Sequence, residues 1–212
     1  MAHLYQAELR PSKLELLTAW LPTRAWHGGP LSGELIRVSA FRFDDPAGQV
    51  GIETMLVRSG DGPVIQVPLT YRGAPLNGAD RFLVGTMEHS VLGRRWIYDG
   101  CGDPVYAGVL AAAIFTGGTQ AEEFIEVDGQ LRRREPAMSV SGSGKAQAPA
   151  VEELVQVDDG DPALMVADTV ELTVARVLSL PGNESGPSGA LTLTGVWSGQ
   201  SSPALLAYAR AR

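Results

Sequence analysis

Cysteine is nearly missing from this sequence: Cys101 stands alone among 212 residues. One thiol closes no intramolecular disulfide, so the disulfide-dense scaffold of a small secreted protein is excluded. Histidine is almost as scarce. His3, His27 and His89 lie far apart, and with one cysteine they supply no ligand pair at the helix or turn spacing of a zinc site, so no metal is expected. Lysine occurs twice against fifteen arginines, which reads as the codon habit of a GC-rich genome. No stretch approaches about 18 uninterrupted apolar residues, the length that spans a bilayer as a helix. The start, MAHLYQAELRPSK, lacks the basic-then-apolar order of a signal peptide, so a cytoplasmic location is expected. Long blocks of like charge are absent too. The net charge of -7 runs against the counterion release on which nucleic acid binding depends, so neither nucleic acid nor membrane is an expected partner. Arg132, Arg133 and Arg134 form the one basic run of three, and nearby Glu122, Glu123, Glu126 and Glu135 make it a solvated hairpin face.

What is present is an ordinary globular composition, 44% hydrophobic and 19% charged, with enough length for one sizeable core. Ser12-Lys13-Leu14-Glu15 has the capping-box pattern, and Leu14, Leu17, Trp20 and Leu21 follow at three-and-four spacing before Pro22. A helix laid across a sheet is predicted. Alternation over 34–43 predicts a strand, and the runs 51–58 and 64–71, flanking the short glycine-rich loop at 59–63, predict an antiparallel hairpin. Pro68 donates no ladder bond and so marks an edge, a bulge or a strand end. A second hairpin is predicted from Phe82–Ser90 and Arg94–Tyr98. Asp103-Pro104 opens a helix to about Thr116, with Val105, Val109, Ala112 and Ala113 as its packing side and Gly117 as its stop. Asp128-Gly129 between 123–127 and 130–134 predicts a tight hairpin. Residues 139–150 are Ser, Gly, Ala and Pro with little to bury, and read as a linker or mobile loop. Strands are predicted at 151–157 and 169–180, and at 190–197 and 203–210, with 169–210 forming a three-stranded meander around an exposed loop at 181–189. The fold class expected is α+β.

Several chemistries can be argued away from spacing. Ser141-Gly142-Ser143-Gly144-Lys145 lacks both the leading glycine and the trailing Ser or Thr of a phosphate loop, and no helix follows it. Asp158-Asp159-Gly160-Asp161 lacks the alternation and closing glutamate of a calcium loop and reads as a solvated turn. Gly142-Ser143-Gly144 lacks the strand-to-helix setting of a hydrolase nucleophile. Glycosidase chemistry needs only two carboxylates, and Asp99 and Asp103 flank one turn. Asp103 has a duty as a helix cap, which leaves Asp99 the more open of the two.

Trp20-Leu21-Pro22 with Arg24 and Trp26, the run Gln66-Val67-Pro68-Leu69-Thr70-Tyr71-Arg72, and Tyr98-Asp99 with Asp103-Pro104 together resemble the N-terminal cap of actinobacterial maltokinases and related aminosugar kinases. Stand-alone proteins of this type are sometimes labelled 1,4-α-glucan branching proteins. The resemblance implies a cystatin-like antiparallel sheet with a packed helix, here over residues 1–117, followed by a β-rich part at 118–212 with a mobile loop at about 138–150. In those kinases ATP and sugar are handled by later lobes, and no phosphate loop or ATP-binding lysine is found after Thr169. The family often has an aromatic, a glycine and a lysine after the tryptophan, where this chain has His27-Gly28-Gly29-Pro30. No catalytic residue and no cofactor is therefore carried over. The expectation is a non-catalytic accessory protein of α-glucan, maltose or trehalose metabolism, binding a maltokinase, trehalose synthase, another α-glucan enzyme or a saccharide. Trp26, His27, Tyr71, Arg72 and Asp99 are its candidate exposed contacts. The alternatives are a small glycan-active enzyme using Asp99 and Asp103, and a sugar binder in which Trp26 and Trp96 stack on the ligand.

Overall fold

The computed structural model describes residues 2–4, 8–127, 130–178 and 186–212. In the first half the elements are β1 (Ala2–Leu4), β2 (Leu9–Arg10), α1 (Lys13–Trp20), β3 (Leu35–Phe43), β4 (Gly51–Ser59), β5 (Val64–Arg72), β6 (Leu83–His89), β7 (Gly93–Asp99) and α2 (Pro104–Thr116). The second half adds β8 (Glu123–Val127), β9 (Gln130–Arg134), β10 (Met138–Gly142), β11 (Gln156–Asp158), β12 (Ala163–Val166), β13 (Val170–Val174), β14 (Val177–Leu178), β15 (Leu191–Trp197) and β16 (Gln200–Ala211). Antiparallel pairing dominates, giving a mixed α+β fold.

Sheet one has the order β2-β6-β7-β5-β4-β3, with β14 added beside β5. Strand alternation gives it two apolar faces. Met55, Val57, Ile65, Val67 and Leu69 point to one face, which α1 covers with Leu17 and Trp20. The helix starts where the capping box predicts: the Ser12 hydroxyl accepts from the Glu15 amide at 3.3 Å and the Glu15 carboxylate accepts from the Ser12 amide at 2.7 Å. The opposite face, with Ile52, Leu56 and Val64, packs on α2. Beyond α2 lies sheet two, β10-β15-β16-β13-β12-β11, whose Val140, Leu172, Leu193 and Leu206 join the same apolar cluster. A helix between two sheets has almost no outer side. Tyr106, Ala107, Leu110, Ala111, Ile114 and Phe115 are therefore buried as well as the expected Val109 and Ala113, whereas Ala112 is exposed.

Pro68 sits within an interior strand. The Gln66 amide donates to the Arg176 carbonyl, and the two-residue strand period turns the Pro68 nitrogen to the same edge. There β14 has ended at Ile65 and β7 begins only at Leu69, so the proline falls in a gap and forfeits no ladder bond.

Sheet two departs from the sequence reading in four places. Residues 138–142 form β10, paired with β15, in place of the start of a mobile loop. The following backbone is anchored as well: the amides of Gly144 and Ala146 donate to the carbonyls of Ile114 and Phe115 at 2.9 Å each, closing the end of α2. Small residues there serve close approach to the helix, a use that composition does not distinguish from a linker. Pairing at 151–157 is delayed until Gln156, because Val151 and Leu154 pack on the core from irregular backbone. The long strand at 169–180 breaks at Ala175-Arg176, with β13 in sheet two and β14 in sheet one. The meander is replaced by an order in which β16, twelve residues long, pairs with β13 on one edge and β15 on the other. A small third sheet, β1-β8-β9, contains the expected hairpin. Its Asp128-Gly129 turn, like residues 179–180 of the predicted strand and 181–185 of the predicted loop, lies outside the described residues.

Candidate functional site

Where the chain crosses from sheet two to sheet one, it carries Arg176 into the interior. The guanidinium is fully buried, and so is the Asp99 carboxylate it faces at the end of β7. Nη1 donates to Asp99 Oδ1 at 3.0 Å, and Nη2 donates to Asp99 Oδ2 and, at 3.3 Å, to Asp159 Oδ1. Asp161 accepts from the Arg176 and Val177 amides at 2.9 and 3.2 Å, fixing the crossover backbone. The Trp26 ring lies under the guanidinium at 4.9 Å, and its indole N–H donates to Asp159 at 3.0 Å. Burial works against the charge of Arg176, but Asp99 outweighs it and holds the guanidinium more firmly protonated than usual. Asp99 also accepts from the Cys101 amide at 3.1 Å. Burial pushes the Cys101 thiol well above its ordinary range, so it is not a nucleophile near neutral pH.

Two further clusters occupy sheet one. Arg72 grips Asp103 with two bonds of 2.7 Å, the Thr70 hydroxyl donates to the same carboxylate at 2.7 Å, and Asp103 caps α2 through the Val105 amide at 3.0 Å. The hydrogen bonds from Arg72 to Asp103 raise the affinity of that guanidinium for its proton. On the α1 side, buried Glu53 accepts from Lys13 and from the Tyr71 hydroxyl at 2.8 Å, with Arg42 at 4.0 Å. Burial pushes the Glu53 carboxyl up, and the Lys13 and Arg42 charges more than reverse it, leaving its pKa below the ordinary value. Burial and that carboxylate push the Tyr71 phenol well up.

Of the five candidates, Trp26 and Asp99 meet on Arg176, while Tyr71 and Arg72 belong to separate ion clusters. His27 stands beside Trp26, its Nδ1 2.8 Å from the Gly29 carbonyl. Asp99 is not the exposed contact expected, since the crossover strand lays Arg176 directly over it; the other four are half-buried. The sequence reading passed over Arg176, Asp159, Asp161 and Glu53. One signal was there: Val170, Leu172 and Val174 point inward, and the same alternation puts Arg176 inward, where an arginine requires a carboxylate. A groove of about 320 Å³ lies apart from all five candidates, between residues 76–82, the start of α2 and residues 153–157. Among the described residues no group of three or more His, Cys, Asp or Glu is gathered as metal ligands, and no helix is long and apolar enough to cross a membrane.

Within this layered α+β fold the buried carboxylates of Glu53, Asp99 and Asp103 are each paired with lysine or arginine. Residues 20–103, from Trp20 at the end of α1 to the Asp103 cap of α2, match the family model of the maltokinase N-terminal cap domain. Over this stretch the chain is similar to that cap domain. No curated protein matches the chain.

Proposed function

We propose that this protein is a non-catalytic, cap-like accessory of α-glucan, maltose or trehalose metabolism that acts by binding a partner enzyme or a saccharide. The observation that carries the reading is the cap-domain match over residues 20–103, set beside the state of the carboxylates in that stretch. Asp99 and Asp103 are both fully buried and each is bidentate to an arginine. The glycan-hydrolase alternative needs these two groups facing a sugar, one to donate a proton and one to attack or activate water. Neither reaches solvent. The cystatin-like description of the cap accords with α1 lying across antiparallel sheet one. A kinase is the obvious partner, because a cap domain of this family belongs to maltokinases, and trehalose synthase or another α-glucan enzyme fits the same metabolic setting.

The test is an assay of the purified protein with ATP and maltose or glucosamine, and separately with glycogen and maltooligosaccharides. No phosphorylated sugar and no cleavage above the buffer rate is the expected result. Turnover at a useful rate that is lost in Asp99→Asn, while the melting temperature stays unchanged, would overturn the proposal in favour of the hydrolase.

A further inference from the structure

We propose that the groove between residues 76–82 and 153–157 binds an uncharged, hydroxyl-rich small molecule of about disaccharide size; this deepens the accessory reading and rests on its saccharide arm. The groove's volume of about 320 Å³ falls within the range of small-molecule sites, roughly 300 to 1,000 Å³. Its polar lining is complementary to hydroxyl groups. Arg81 offers only donors, Glu153 only acceptors, and Asn77 and Gln156 both. A hydroxyl donates and accepts at once, so a ligand rich in hydroxyls can satisfy all four side chains. The one positive and one negative charge cancel, so the lining does not select a charged ligand.

The groove also differs from the ion clusters in having polar capacity to spare. The side chains of Asn77, Glu153 and Gln156 make no hydrogen bond or ion pair with the described residues. Arg81 is held in place without being used up: one N–H donates to the Val157 carbonyl at 3.2 Å and the guanidinium lies 4.6 Å from the Phe82 ring centroid, which leaves other donors for a ligand. Leu76, Pro104 and Val157 supply apolar wall for the C–H faces of a sugar ring. The two rings of the aromatic alternative are partly engaged already, with the Arg176 guanidinium 4.9 Å from the Trp26 centroid and that of Arg94 5.4 Å from the Trp96 centroid.

Ligand-observed saturation-transfer NMR with maltose and trehalose tests this, with glucose 1-phosphate as the charged probe, on the full chain and on Asn77→Ala combined with Glu153→Ala. Both positions are exposed, so the variant is expected to keep the wild-type circular dichroism and melting temperature. The expected result is transfer to at least one neutral disaccharide and a tenfold or greater weakening in the variant. Absence of transfer to either disaccharide, unchanged binding in the folded variant, or a preference for the phosphate would overturn the groove. Recovery of a partner enzyme by the same variant at wild-type yield, without sugar binding by the parent, would sink the groove while leaving the accessory reading intact. Sugar binding with no partner recovered would support the groove and count against the partner arm.

Discussion

At the scale of single residues, a fully buried and paired carboxylate is also the one most easily misread from sequence. An aspartate at a turn between a strand and a helix invites a catalytic role, and Asp99 instead neutralises an arginine that arrives from 77 residues further along the chain. Removing one member of a buried pair leaves the other charged and unpaired, a cost of about 3 kcal/mol or more. Asp99→Asn is accordingly expected to lower the denaturation midpoint strongly in urea. Asp99→Leu combined with Arg176→Met should recover much of that loss, because no fully buried charge is left unpaired and Asp159, which also loses Arg176, keeps Arg24 at 3.5 Å and the Trp26 indole N–H at 3.0 Å; a double variant as unstable as the sum of the singles would contradict this. A second residue-scale prediction concerns His89, whose Nδ1 accepts from the Val91 and Leu92 amides at 3.2 and 3.1 Å and so holds the β6-β7 turn. Burial, then the Arg95 charge, lower its pKa below the ordinary 6.5. The folded state therefore binds this proton less readily than the unfolded chain. Its contribution to stability is complete above about pH 6.5 and falls as pH drops through 6.5 toward the lower folded value. An NMR titration should place the His89 midpoint below 6.5, and a midpoint above it would refute the assignment of Nδ1 as a bare acceptor.

At the scale of elements, the sequence was most informative where a local rule decides the outcome. The Ser12/Glu15 box, the Asp103 cap, the left-handed Gly117 at φ 73° and the β4-β5 hairpin around its glycine-rich loop are local, and each appears where predicted. Elements set by long-range packing were less legible. The segment at 139–150 looks like a linker because glycine and serine bury little, yet the glycines permit its approach to α2. A β-carbon on Gly142 would lie 1.9 Å from the Ala113 carbonyl oxygen, and one on Gly144 would lie 2.2 Å from that of Phe115. Gly142→Ala and Gly144→Ala are each expected to cost about 1–3 kcal/mol or more, as overpacked cores do. A flexible linker would tolerate both changes, so unaltered melting temperatures would contradict the docked geometry. The break at Arg176 was hidden for a similar reason. Periodicity marks which residues point inward and says nothing about which sheet receives them.

At the scale of the whole molecule, sheet one, α2 and sheet two share one apolar cluster, and the Arg176 crossover ties the cap-like stretch to sheet two. Unfolding is expected as a single transition, with tryptophan fluorescence and far-ultraviolet circular dichroism superimposing; two separated transitions would show that 1–117 and 118–212 fold as separate units. Packing on both faces of sheet one also bears on partner choice. The α2-facing side is covered by the chain itself, so an accessory role must use the outer surfaces of α1, the strand edges or the loops. The sequence disclosed the cap-like stretch through Trp20-Leu21-Pro22, the strand ending in Tyr71-Arg72 and Asp103-Pro104, but not that Glu53, Arg72, Asp99 and Asp103 are spent on internal ion pairs, because their partners lie far away in sequence. The most direct measurement of the functional account is affinity co-purification of the protein from its native lysate at low and moderate salt, with mass spectrometry of the retained proteins. The account predicts enrichment of a maltokinase, a trehalose synthase or a glucan-synthesising enzyme that survives moderate salt; retention of none of these, from a lysate in which they are detected, would contradict it.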